Sequence, residues 1–344
     1  MVLIPGGTFQ MGGDAGEMGG NSNSHQSAYP VHQVTVNAFW LDEAEVTNQE
    51  FAQFVEATGY VTFAERPFPE DVIQEMQAQA ERSLAEMRTS LAQAEEGEKE
   101  ALAASLARVE EAVAAIHLPG AIVFEPATRV HSERDITQWW RLVPGSSWKQ
   151  PEGPGSTWKG RETHPVVNVT HEDAAAYAAW AGKRLPTEAE WERAARGGLA
   201  KQPFVWGDQF FPRGEGVWMA NIWQGEWPKE NTGLDGFVAT SPVKSFPPNA
   251  YGLYDMAGNV WEIVADYYHP YAYRLRPDGV KNPVGPRRDQ VAAPGQRVVA
   301  HVTRGGSFLC SDVWCKGYQP GARQSFDSES PSNHTGFRCA RDLE

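Results

Sequence analysis

The chain has 344 residues, a formal charge of −14, 41% hydrophobic residues, 33 Gly, 24 Pro and 13 Trp. An acidic balance of this size excludes non-specific nucleic-acid binding, which needs a basic face, and no apolar run approaches the ~18 residues of a membrane-spanning helix. The composition fits one large or two ordinary domains rich in loops and turns, with aromatic side chains filling irregular gaps.

The opening Met1-Val-Leu-Ile-Pro-Gly-Gly7 lacks the basic and long apolar parts of an export signal. That points to the cytoplasm and leaves room for a leader trimmed from a longer precursor. Residues 2–11 and 31–41 partly alternate apolar and polar side chains and are predicted to be short strands. Thr47-Asn-Gln-Glu50 has capping-box spacing, Phe51, Phe54 and Val55 share a helical face, and Gly59 marks the stop. Thr170-His-Glu-Asp173 and Thr187-Glu-Ala-Glu190 repeat that grammar, with stops at Gly182 and Gly197.

Residues 71–117 differ in kind. They hold ten acidic residues against four Lys/Arg and no Gly or Pro except Gly97. Ala80, Leu84, Met87, Leu91 and Ala94 follow coiled-coil spacing, as do Leu102, Leu106, Val109, Val113 and Ile116. The pattern predicts an inserted antiparallel helical hairpin broken near Gly97, able to bury its own seam and dispensable for the fold. Its alternatives are a solvated insertion and a docking arm for a partner or a second protomer. Residues 119–165, rich in Pro, Gly and Trp, are predicted to be ordered loop, because a flexible linker would be poor in Trp.

Three segments are dense in oxygen ligands: Asn221-Ile222-Trp-Gln-Gly, Asn231-Thr-Gly-Leu-Asp235-Gly-Phe237, and Asp255-Met-Ala-Gly258-Asn-Val260-Trp-Glu262. Spacing alone reads as Asx turns, although irregular turns with carboxylates also suit Ca²⁺, which takes six to eight oxygens. Glu262 precedes Ile263-Val264-Ala265; a carboxylate buried there must be paired or ligated. Finally, Arg304-Gly-Gly-Ser307-Phe-Leu-Cys310-Ser-Asp-Val-Trp314-Cys315 carries two of the three cysteines. A zinc ribbon would need a second such pair. A local disulfide, a two-thiolate site for a soft ion such as Cu(I), and two inert core thiols all remain open.

Five segments together resemble the formylglycine-generating enzyme (sulfatase-modifying factor) family: residues 4–12, residues 182–192, residues 251–262, the stretch from Arg304 to Cys315, and Gly336-Phe-Arg-Cys339. The resemblance runs from about residue 3 to 342, interrupted by the hairpin. It implies a single-domain mixed α+β fold with little regular secondary structure, C-type-lectin-like, over 1–344. It also implies a copper-dependent oxidase that converts the cysteine of a Cys-x-Pro-x-Arg segment in an unfolded sulfatase to Cα-formylglycine with O2. In that scheme Cys310 and Cys315 hold Cu(I), while Ser307 and Trp261 line the thiol and oxygen pocket. Trp314 stands where relatives carry tyrosine, and Arg323 is retained downstream. Two structural calcium sites follow by position: Asn221, Ile222, Asp235 and Phe237 for one, and Asp255, Gly258, Val260 and Glu262 for the other. Asp312 departs from the family pattern and would raise a neighbouring thiol pKa. Cys339 reads as a buried structural thiol.

The partner implied is a cysteine-containing peptide, of a sulfatase or another protein, with the chain expected to be a monomer that uses neither nucleic acid nor membrane. Two other readings compete: a non-catalytic binding module of the same fold, and a non-haem iron sulfoxide synthase. The latter takes its iron ligands from a His-x3-His motif, and no two of the nine histidines here are four apart.

Overall fold

A computed structural model describes residues 1–13, 27–68, 70–115, 117–132, 135–296, 298–313 and 315–343. The first predicted strand stretch splits at Pro5-Gly6 into β1 (Val2–Ile4) and β2 (Gly7–Met11), and the second at Asn37-Ala38 into β3 (His32–Val36) and β4 (Phe39–Leu41). The breaks let one segment serve two sheets. β1 pairs with β4, which also pairs with β12 (Ala340–Asp342), while β2 pairs with β3, and β3 with β8 (Val280–Lys281).

The three capped helices form as the capping boxes dictate: α1 (Asn48–Thr58), α4 (His171–Trp180) and α5 (Glu188–Ala195). In each, the Thr side chain accepts from the backbone N–H three residues on, and the acidic side chain accepts from the Thr backbone N–H. Gly59 closes α1 in the left-handed conformation, with φ 69°. The hairpin comprises α2 (Glu70–Gln93) and α3 (Glu96–Ala114). Its break falls at residues 94–95, near Gly97 as expected, and Gly97 itself sits in the first turn of α3, where helix-breaking residues cost least. The Trp-rich stretch is ordered and also contains an unforeseen β-hairpin, β5 (Gly120–Phe124) with β6 (Trp140–Pro144). Trp139 and Trp148 within it are buried.

The sheet that carries the site has the order β10-β9-β7-β11, with β7 (Trp261–Tyr267), β9 (Ala300–Arg304), β10 (Arg323–Asp327) and β11 (Thr335–Gly336). Two apolar clusters flank it. One contains Trp191, Trp261, Val302, Cys310 and Tyr318, the other Phe51, Tyr177, Ile263 and Phe337. Among the described residues, no helix is long and apolar enough to cross a membrane.

Candidate active site

β9 ends at Arg304 and the chain turns through Gly305 and Gly306, at φ 90° and 73°. Gly306 is obligatory here: a Cβ would lie 2.5 Å from the Tyr318 backbone nitrogen. Ser307, wholly buried, then fixes the next turn, accepting from the Leu309 N–H at its Oγ (3.2 Å) and from the Cys310 N–H at its carbonyl (2.9 Å). Cys310 is 1% exposed, and its sulfur is joined to that of Cys315, with their Cα atoms 4.7 Å apart. Of the three chemistries that spacing leaves open, the structure shows the disulfide.

Trp261 meets this pair at Gly317. A Cβ on Gly317 would fall 2.5 Å from the Trp261 ring edge and 3.0 Å from the Cys310 Sγ. Indole, sulfur and glycine backbone therefore share one close-packed point. Cys310, Cys315 and Trp261 come together there, with Ser307 bonded to the Cys310 N–H, while Trp314 lies outside the described residues. Arg323 is engaged elsewhere. It sits beside Arg304 in the β9–β10 pair, and its Nε donates to Glu188 Oε1 at 2.6 Å. Arg304 donates to Glu188 at 3.2 Å and also to Glu192, which Arg196 holds from its other side. All of these side chains are buried. The network fixes the strand end from which the thiol turn departs.

The reduced form of the pair fits Cu(I): two soft sulfurs, Cys310 buried against Trp261 and Cys315 partly buried beside it. Among the described residues, no group of three His, Cys, Asp or Glu side chains is placed to hold a metal by itself.

Both oxygen-rich regions are stitched to the same turn. The Trp223 N–H donates to the Cys310 carbonyl, the Phe308 N–H to the Asn259 carbonyl and the Gly258 N–H to the Gly305 carbonyl, at 2.8–2.9 Å. The two regions also bond each other, Asn259 N–H to the Asn221 carbonyl at 2.9 Å. In the first, Asp235 accepts from the backbone of Ile222 and Phe237, both at 2.9 Å. The Gln224 amide donates to both Asp235 and the Ile222 carbonyl, and the buried Asn221 Oδ1 has no donor among the described residues. In the second, Glu262 is paired with Arg338 (2.6 and 2.7 Å) and accepts from the Trp191 indole (2.8 Å), as its burial requires.

Sequence reading missed Glu45. It is 2% exposed and neither carboxylate oxygen has a donor among the described residues. Burial first, then the facing Asp255 carboxylate, push its carboxyl well above the usual range. Burial likewise raises Asp255 to about 6. Three carboxylates (Glu45, Asp255 and Glu262) thus confront the single guanidinium of Arg338. Glu262 is already held by Arg338 and Trp191, so a hard divalent cation here would draw its donors from Glu45, Asp255 and freed carbonyls.

A groove of about 670 Å³ opens beside the thiol turn, lined by Val130, His131 and Trp139, by residues 225–229, and by Val313 from between the two cysteines. Its floor belongs to a third apolar cluster, in which Trp139 and Trp223 pack with Phe308 and Leu309, the residues just before Cys310.

Comparison with known proteins agrees with this geometry. The family model described as "Sulfatase-modifying factor enzyme 1-like domain" matches residues 1–343. The "Formylglycine-generating enzyme" of Thermomonospora curvata is 40% identical over 342 residues, covering 99% of this chain and 93% of that protein. The mouse "Inactive C-alpha-formylglycine-generating enzyme 2" is 33% identical, covering 99% and 85%. Among solved structures, PvdO from Pseudomonas aeruginosa aligns with a TM-score of 0.57 at 24% identity, over 99% of this chain and 93% of that one, which supports the mixed α/β fold with its inserted helices. With a whole-chain family match and relatives at this level of identity, the chain belongs to the sulfatase-modifying factor family, that of the formylglycine-generating enzymes.

Proposed function

We propose that this protein converts a peptidyl cysteine to Cα-formylglycine, acting on a Cys-x-Pro-x-Arg segment of an unfolded sulfatase and using O2. The observation that carries the reading is the Cys310–Cys315 pair packed against Trp261 at Gly317, with a groove opening beside it. When bound by the reduced pair, Cu(I) would supply the means of activating O2 and of taking the substrate sulfur as a further ligand. The chain's own contributions are clear in outline. Ser307 and the Gly305-Gly306 turn fix the direction of Cys310, and Trp261 and Tyr318 keep water from the sulfurs. The groove beside Val313 receives an extended peptide.

The test is mass spectrometry of a Leu-Cys-x-Pro-x-Arg peptide incubated with Cu(I)-loaded protein, a thiol reductant and air. The expected product carries CHO in place of CH2–SH. An unchanged peptide with copper verifiably bound would transfer the case to a non-catalytic module, the reading favoured by the relative named as inactive. Oxidation of a different thiol would retain the oxidase and discard the sulfatase link.

The same reading includes structural Ca²⁺ at both oxygen-rich sites, with Asn221, Ile222, Asp235 and Phe237 at one and Asp255, Gly258, Val260, Glu262 and the newly placed Glu45 at the other. A ligand that binds only the folded state adds about 2.7 kcal/mol per site at 100 times its Kd. Chelation is therefore expected to lower the melting temperature, and Glu45→Gln to blunt that response. A melt unchanged by thorough chelation would refute the calcium sites.

A further inference from the structure

Among the described residues two ion pairs tie the hairpin to the body of the protein, an exposed one from Glu100 to Arg129 and a much less exposed one made by Arg108. Arg108, on the half-buried face of α3, donates to Asp135 at 2.8 Å, with only 20% and 23% of the two side chains exposed. This is the least exposed of the ion pairs made by the hairpin's arginines and lysines among the described residues; the link between α2 and α3, Arg88 to Glu110, lies in open solvent. Ser105, one turn before Arg108, also bonds Asp135. Asp135 is itself the cap of a 3-10 turn (Ile136–Gln138), accepting from the Thr137 N–H at 3.1 Å. Burial opposes its charge, and the bonds from Thr137, Ser105 and Arg108 overcome that and hold its carboxyl below the usual range.

What the turn does next gives the contact its meaning. The Gln138 amide donates to the carbonyls of Ser132 and Asp135, at 2.6 and 2.9 Å, and its Oε1 accepts from the His131 N–H at 2.7 Å. The Trp139 N–H closes the turn on the Ile136 carbonyl at 3.2 Å. His131, Ser132 and Trp139 line the groove beside the thiol turn. A continuous set of hydrogen bonds therefore runs from α3 through Asp135 and Gln138 to one lining segment of the groove.

We propose that the hairpin is a brace for the substrate groove, and that Arg108 is a positioning residue which sets how well the peptide is held without touching the reacting cysteine. The proposal rests on the functional reading above. Binding an extended peptide is favoured when the wall that receives it is already ordered, because the ordering cost is then not charged to the complex. Arg108 acts on the groove wall through Asp135 and Gln138, so its loss removes binding that the ground state and the transition state share. Such a loss raises KM and leaves kcat alone.

The experiment uses the full chain with Arg108→Glu, Arg108→Ala and Arg108→Lys. Affinity is read by fluorescence anisotropy of a labelled peptide in which the reactive cysteine is serine, and turnover with the cysteine peptide. Arg108→Glu should weaken peptide binding and raise KM by about tenfold, the scale of one lost charge-assisted hydrogen bond and a new repulsion. Its kcat and melting temperature should stay near those of the parent. Arg108→Lys should recover most of the affinity, because it restores the charge facing Asp135. Should Arg108→Glu fail to fold, Arg108→Ala carries the same test at smaller amplitude. A parent that binds and converts the peptide, with variants that bind it equally well, overturns the brace. A fall in kcat and melting temperature at constant KM also overturns it. A parent that neither binds nor converts the peptide overturns the functional reading instead.

Discussion

Replacing either Cys310 or Cys315 by Ser is expected to abolish cysteine-to-formylglycine conversion, by at least about a hundredfold, the scale on which groups acting directly on the reacting atoms contribute. Serine keeps the shape of the side chain and replaces a soft sulfur by a hard oxygen that has no affinity for Cu(I). The double variant should also fail to retain stoichiometric copper on elemental analysis. Cys339→Ala is the matched control. Cys339 is wholly buried in the cluster with Phe51 and Phe337, and burial first, then Asp42, raise its thiol pKa well above the ordinary value. It therefore stays protonated and packs as a small apolar group. Its loss should cost a little stability and leave turnover intact. Equal turnover of Cys315→Ser and the parent would end the oxidase reading.

Glu188→Gln is expected to destabilise the fold by about 3–5 kcal/mol, the usual result of breaking a buried ion pair from one side. Glu188 is 1% exposed and receives Arg323, Arg304 and the Tyr273 hydroxyl. Without its charge, Arg323 would lose the carboxylate that both its Nε and a terminal nitrogen bond, and Arg304 would keep Glu192. Burial works against the charged form of Glu188, and Arg323 and then Arg304 outweigh it, bringing the carboxyl down to about 2 from an ordinary 4.5. A depressed carboxylate contributes stability above its unfolded pKa and loses it as pH falls towards the folded value. The parent should therefore lose stability between about pH 4.5 and 2, and Glu188→Gln should show a shallower loss over that window. Urea midpoints across pH measure both effects. A variant with the parent's midpoint at pH 7 would mean that the network is not essential to the fold.

The parts legible in the chain were those whose cause is local. A capping box needs four residues, and the three at Thr47, Thr170 and Thr187 open helices where they were expected. The Cys-x4-Cys pair and the Gly-Gly turn before it are equally local. The hidden parts depend on partners far apart in sequence. Arg304 lies 112 residues from Glu192, and Arg323 135 from Glu188. The signal was present, since Glu188 and Glu192 share a face of α5 with Ala195 in its apolar neighbourhood. Glu45 had no local signal: in the acidic run Asp42-Glu43-Ala44-Glu45 it looks like any surface residue until Asp255 and Glu262 are brought against it. The groove could not be read either, because its lining comes from segments separated by about half the chain.

The small sheet that joins the two ends of the molecule has a kinetic consequence. β4 has β1 on one side and β12 on the other, so that Leu41 stands opposite both Val2 and Ala340. During synthesis the strand at 39–41 emerges early and cannot acquire its second neighbour until some three hundred further residues have left the ribosome. Chain-closure entropy over such a span grows slowly with length, but it falls due before the contact returns anything. Until then one edge of β4 presents unpaired amides and carbonyls, a template for foreign strands. A nascent chain of this design leaves that edge of β4 open until β12 has been made.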